Sequence, residues 1–269
     1  MDARYSKWRL VKFDRIERDG GSKLFGKRLM AFGYTLLQPL ARSLVRYEIT
    51  ANTVSWLSLA SGFLAGFFIA FGSFFPAALL SGLSGILDSL DGLVARLSGT
   101  ASDSGEVLDA GIDRYVEFFF CGGLVFYYRS RPFALALVLL ALAGSFMVSY
   151  STAKAEALHV TPPRGNMRRP ERALYLALGA AFSAVSIEVI ESRMFVAPFA
   201  AYPMLASLAI VGFASNYWAV LRLYRIAKTV KRMEPQEKGP DVSCELTSSL
   251  EEGYQVKNPS KGSSDQIES

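Results

Sequence analysis

Six apolar runs, at 52–71, 75–97, 107–128, 132–155, 173–190 and 195–221, dominate this chain of 269 residues. Each is close to the length, about 20 residues, that a helix needs to cross the hydrocarbon of a bilayer. With 51% hydrophobic residues and a mean hydropathy of +0.24, the composition points to an integral membrane protein. The expected fold class is all-α, with about six transmembrane helices. Upstream, residues 24–46 alternate Lys and Arg with Leu, Phe, Met and Tyr in a helical rhythm, which predicts an amphipathic juxtamembrane helix lying on one leaflet. The first 20 residues are charged throughout, so no cleavable signal peptide is expected. From Met233 onward the chain turns to Glu, Lys, Ser, Gly and Pro without periodicity, the composition of a disordered tail. The predicted organisation is an N-terminal cytoplasmic segment at 1–48, a membrane domain at 49–232 and a cytoplasmic tail at 233–269.

Lys and Arg crowd the N-terminal segment from Lys7 to Arg46, the loop after the fourth run (Arg164, Arg168, Arg169, Arg172) and the stretch after the sixth. The opposite loops carry only Arg129, Arg131 and Arg193. The positive-inside rule therefore sets both termini, and the loop between the second and third runs, on the cytoplasmic side of the cell membrane. A net charge of +5 suits anionic lipid and phosphate-bearing substrates. Nucleic acid is not an expected partner, because the basic residues follow membrane flanks and form no single stripe.

That cytoplasmic loop is flanked by four aspartates in the segment DSLDGLVARLSGTASDSGEVLDAGID. Asp88 and Asp91 are three apart and Asp109 and Asp113 four apart, so on helices each pair shares a face. Carboxylates at the edges of apolar runs are costly unless neutralised. The segment offers them no facing basic residue, which implies a hard divalent cation, Mg²⁺ or Mn²⁺, on oxygen ligands. Aspartates that merely cap helices would account for Asp109, but not for Asp88 and Asp91 together inside a hydrophobic segment.

The full pattern is Asp88, Asp91-Gly92, Ala95-Arg96, Gly105, Asp109 and Asp113, eight identities over 26 positions. It resembles the signature of the CDP-alcohol phosphotransferases, integral membrane enzymes of phospholipid synthesis, over roughly residues 49–225. The resemblance implies that Asp88, Asp91 and Asp109 ligate one or two divalent ions. It also implies that Asp113 assists metal binding and acts as general base toward the attacking alcohol. Gly92, Ala95 and Gly105 lack bulk, which would let a CDP-lipid approach the helix backbones, and Arg96 is placed to meet a phosphate oxygen. Close helix packing is the alternative use of Gly92 and Ala95. Homodimers are common in the family and are expected here.

A second constellation bears on the acceptor. Ser149-Tyr150-Ser-Thr-Ala-Lys154-Ala-Glu156 ends the fourth run and Arg168-Arg169-Pro170-Glu171-Arg172 opens the fifth. Together they resemble the acceptor segment of phosphatidylinositol-phosphate synthases. By that likeness Lys154, Arg169, Arg172 and Arg222 would hold the acceptor phosphate, although these residues also satisfy the positive-inside rule. Two departures, Thr152 for a common lysine and Arg168 for the first glutamate, leave open a different phosphorylated acceptor.

The expected function is transfer of a phosphatidyl group from a CDP-activated lipid to a polar, phosphorylated alcohol, inositol phosphate or similar, with release of CMP. Alternatives are a glycerol-phosphate or other head-group acceptor, the reverse arrangement with CDP on the polar alcohol, and a non-catalytic cation-binding membrane protein. Ion binding alone would need the carboxylates but not the small residues between them. Cys121 and Cys244 have no metal-ligand spacing and no expected disulfide, and the lone His159 reads as structural. Gly62 and Gly66 form a GxxxG that reads as ordinary helix packing.

Overall fold

The computed structural model describes residues 27–163, 165–191 and 202–233. Most of the predicted N-terminal segment, Arg164 and Arg193, and the tail with Cys244 therefore lie outside the described residues. The described part of the unit Lys231–Ser269 is a continuation of the last helix through residue 233; the rest belongs to the unit Met1–Val230.

Among the described residues there are seven helices and no strand: α1 (Lys27–Arg46), α2 (Ala51–Ala70), α3 (Phe74–Ser98), α4 (Asp103–Tyr127), α5 (Pro132–Ala157), α6 (Arg169–Glu191) and α7 (Tyr202–Met233). The protein is all-α. Four of the helices, α2, α3, α5 and α7, are long and apolar enough to cross a membrane. The expectation was six. The two that fall short carry charge: α4 holds Asp103, Glu106, Asp109, Asp113, Arg114 and Glu117, and α6 begins with Arg169, Glu171 and Arg172.

Local chemistry fixes the turn on which the site depends. Gly99 stops α3 in the left-handed conformation, with φ of 74°, a region that a β-carbon disfavours. Three residues on, the Ser102 hydroxyl accepts the Gly105 N–H at 3.2 Å and caps α4. This short reversal folds the start of α4 back beside the end of α3. Helix α2 packs extensively on both. The approach of α2 to α4 is close enough to require glycine, since a β-carbon on Gly66 would strike the Phe119 carbonyl and one on Gly123 would strike that of Gly66. Gly62 and Gly66 thus serve packing within the chain.

One apolar core joins Ile69, Phe74, Leu124, Tyr128, Val138 and Leu208 across α2 to α5 and α7. A second joins Ala41 of α1, Val54 of α2 and Leu90 and Val94 of α3. The latter lies directly behind the aspartates of α3. A polar seam joins α2 to α3: the hydroxyls of Ser58 and Ser84 each donate to the other's carbonyl, at 3.0 and 2.9 Å. Asn216 of α7 donates to the Leu140 carbonyl at 2.8 Å. Outward faces carry Phe63, Phe67, Phe75, Phe126 and Phe213, all exposed. Aromatic side chains displayed in that number suit a hydrocarbon surround.

Candidate active site

The reversal at Gly99–Ser102 brings the two aspartate pairs together. Asp88, Asp91 and Asp109 each present a carboxylate oxygen, and these oxygens lie within 4.8 Å of one another. Asp91 is buried, whereas Asp88 and Asp109 are partly open. Three hard anionic oxygens converging at one point fit a divalent cation such as Mg²⁺ or Mn²⁺, which prefers oxygen donors and keeps some of its water. The Ser55 hydroxyl of α2 donates to Oδ2 of Asp91 at 2.7 Å.

Asp113, one turn beyond Asp109, is engaged differently. Arg169, in the first turn of α6, forms ion pairs with both Asp113 and Asp88. The guanidinium of Arg114 lies 3.7 Å from the same carboxylate. The structure therefore corrects one step of the sequence reasoning, because the carboxylates do face a basic residue, supplied from a helix more than 50 positions later. Support for the cation comes instead from the geometry of the three converging oxygens.

The small residues sit where close approach is available. Gly92 and Ala95 are partly exposed on α3, and a β-carbon on Gly105 would meet no heavy atom closer than the Ser102 hydroxyl, at 3.4 Å. Arg96, in the last turn of α3, places its guanidinium 5.9 Å from the centre of the Tyr34 ring of α1, a cation–π distance.

The four basic residues expected around the acceptor occupy four different settings. Lys154 is exposed in the last turn of α5, and Arg169 is paired with the aspartates. Arg172 is 1% exposed. Its Nε and Nη2 donate to the two oxygens of Glu117, at 3.0 and 3.2 Å, and its Nη1 to the Met167 carbonyl at 2.9 Å. Arg222 is buried and donates through Nη2 to the carbonyls of Gly165 and Asn166, each at 3.1 Å, while its Nε–H is buried without a hydrogen-bond partner among the described residues. Arg168 and Arg172 are close enough to repel Arg222 electrostatically, with Glu171 offsetting them. Arg168, Arg172 and Arg222 thus gather beside the loop that joins α5 to α6, with Glu117 and Glu171 among them.

Two residues that the sequence reading passed over belong to this region. Glu117 follows Asp113 by one helical turn inside an apolar run, and a charge in that position signals a partner. Ser55 was legible only as the first of three serines, at 55, 58 and 61, on one side of α2.

Three carboxylates converging at helix ends, in a chain with four helices long and apolar enough to cross a membrane and next to clustered arginines, fit a class: a helical membrane enzyme acting on phosphate esters with a divalent cation. The chain belongs to the CDP-alcohol phosphatidyltransferase family, whose model matches residues 48–222. It is similar to the phosphatidylinositol phosphate synthase of Mycobacterium tuberculosis, with 36% identity over 151 residues, 54% of this chain and 69% of the relative. A synthase of the same name from Corynebacterium glutamicum is 30% identical over 159 residues, 56% of this chain and 72% of the other.

Among solved structures, the M. tuberculosis phosphatidylinositol phosphate synthase in complex with manganese and citrate superposes with a TM-score of 0.60 at 27% identity, covering 70% of this chain and 88% of that one. The same enzyme with CDP-DAG bound gives 0.59, covering 71% and 94%. The protein is thus a membrane transferase of phospholipid synthesis that moves a phosphatidyl group to an alcohol, with three aspartates placed to hold a metal ion.

Proposed function

We propose that the acceptor is a phosphorylated polar alcohol, inositol phosphate or a close analogue, and that the product is a phosphatidyl lipid bearing that phosphate. The observation that carries this reading is the Nε–H of Arg222. A buried donor without a partner, amid Arg168 and Arg172, is a place for an anionic oxygen. Lys154, exposed at the end of α5, and Arg169 extend the positive lining, and Arg172 contributes charge from behind. The names of the relatives agree with this acceptor. A glycerol phosphate would meet the same donors.

Asp88, Asp91 and Asp109 would hold one or two divalent cations. Such a cation, when bound, draws charge from the diphosphate and stabilises the departing CMP. Gly92, Ala95 and Gly105 leave room for the nucleotide, and Arg96 meets a phosphate oxygen. Asp113 takes the proton of the acceptor hydroxyl as its oxygen forms a bond to the lipid-bearing phosphorus and the bond to CMP breaks. Arg169 orients that carboxylate.

The same reading makes α4 and α6 membrane-spanning, giving six spans, with the site at the cytoplasmic face of the cell membrane. Helix α1 lies on that leaflet, its outer side carrying Phe32, Leu36 and Leu40, with Tyr47 just past its end, all exposed, and Arg42 and Arg46 beside them. The functional domain is 49–232, flanked by cytoplasmic segments, and the enzyme works as a homodimer.

The test is to incubate purified protein and Mg²⁺ or Mn²⁺ with CDP-diacylglycerol and a panel of free and phosphorylated alcohols, followed by mass analysis of the lipid. A phosphate-bearing product and an equivalent of CMP are expected. Turnover of unphosphorylated alcohols alone would overturn the acceptor assignment.

A further inference from the structure

We infer that Ser55 is a positioning residue for the cation site: its hydroxyl, presented from a helix that contributes none of the motif residues, fixes the orientation of the Asp91 carboxylate. Ser55 and Asp91 are each only 5% exposed, and they lie 36 positions apart in the chain. The 2.7 Å bond is thus a buried tertiary contact to a charged acceptor, the stronger kind of hydrogen bond. The hydroxyl has one proton and two acceptors within reach. The second is the carbonyl of Ala51 in its own helix, at 3.2 Å. The shorter bond to a carboxylate is the favoured one, so the proton points toward α3.

The torsion that turns a carboxylate about its own axis is soft, with broad wells instead of sharp rotamers. Holding one oxygen of Asp91 removes that freedom and fixes how the carboxylate is presented to Asp88 and Asp109. The surroundings make the contact rigid. Val54, beside Ser55, packs with Leu90 and Val94, which bracket Asp91. One turn further along α2, the reciprocal Ser58 and Ser84 bonds lock the register of the two helices. Asp88, by contrast, is held by Arg169, a long side chain on another helix. Helix α2 therefore sets the geometry of the most buried member of the cluster. Hydrogen bonds of this kind to the ligands of a metal typically change affinity by about 10–100-fold when removed.

The inference rests on the three-aspartate cation site, and failure of that site would show as absence of Mn²⁺ binding by the parent protein. The experiment measures Mn²⁺ binding by electron paramagnetic resonance on purified protein without nucleotide, for the parent, Ser55→Ala, Ser55→Thr and Ser58→Ala. Ser55→Ala should weaken Mn²⁺ binding by roughly 10-fold or more, with CMP release recovering as Mn²⁺ is raised. Ser55→Thr, which keeps the hydroxyl, should stay near the parent. Ser58→Ala removes one of the reciprocal bonds without touching a carboxylate and leaves the Ser84 hydroxyl on the carbonyl of residue 58 to keep the register, so Mn²⁺ affinity should stay unchanged. If Ser55→Ala does not survive extraction, Ser55→Cys, of similar shape but a weak donor, should show the same direction of change. Parental Mn²⁺ affinity in Ser55→Ala, or in Ser55→Cys where that variant replaces it, would overturn the proposal. So would an equal loss in Ser58→Ala, which would mark a general loosening of the seam.

Discussion

Asp113 and Arg172 show how far a residue's role depends on what it already touches. Asp113 stands outside the three-oxygen cluster and is held by Arg169. Asp113→Asn should therefore abolish CMP release while CDP-lipid binding persists, whereas Asp91→Asn should weaken Mn²⁺ and CDP-lipid binding together. Parental turnover by Asp113→Asn would show that another group takes the proton. The two buried arginines should separate as well. Arg172 spends its guanidinium on Glu117 and Met167, so Arg172→Ala strands a buried carboxylate, at a cost of about 3–5 kcal/mol in stability. Arg222 keeps an Nε–H with no partner among the described residues. Arg222→Lys should raise the acceptor KM roughly 10-fold or more, by loss of about 1.5–3 kcal/mol of charge-assisted bonding, with little change in the KM for CDP-lipid. Thermal melting and KM values, each substrate varied with the other saturating, distinguish the two. An equal rise in both KM values for Arg222→Lys would make it a structural residue.

Helices were the most legible elements, because apolar runs of about 20 residues read directly as spans. The aspartate spacing announced a shared site for the same reason, since three- and four-residue intervals fall on one helical face. Partners across long separations were not legible. Nothing local in the sequence says that Arg169 reaches Asp88 and Asp113, or that Arg172 reaches Glu117. Those contacts depend on how the loop at residues 158–168 returns α6 to α4, and that loop is held by Arg172 and Arg222 themselves. The role of Gly66 was only half legible: GxxxG announces close packing but not its partner. Since a β-carbon at Gly66 meets backbone on α4, no side-chain rotation can relieve Gly66→Ala. The helices must part, and Asp109 and Asp113 move with α4. A lowered melting temperature and weakened Mn²⁺ binding are expected together. Gly82→Ala, where an added β-carbon meets nothing within 4 Å, should alter neither. Parental Mn²⁺ binding by Gly66→Ala would mean that the α2–α4 contact does not set the site.

Charge on α4 separates the four apolar helices that hydropathy recognises from a six-span molecule. Hydropathy scores Asp113 and Glu117 as if each faced lipid, yet both are paired, with Arg169 and Arg172 of α6. Paired charges directed inward are tolerated within membrane helices. At about 1.5 Å per residue, the 25 residues of α4 extend further than the hydrocarbon thickness of about 30 Å, and its final stretch from Phe118 to Tyr127 is apolar. Both helices can therefore cross, each neutralising the other. Single cysteines in a background of Cys121→Ala and Cys244→Ser test this. Thr100, Thr161 and Ser130 are exposed in three different turns. In a six-span molecule a membrane-impermeant maleimide should label Thr100→Cys and Thr161→Cys from one side of sealed vesicles and Ser130→Cys from the other. Labelling of Thr100→Cys and Ser130→Cys from the same side would show that α4 does not cross, and its charged face would then need water in place of α6.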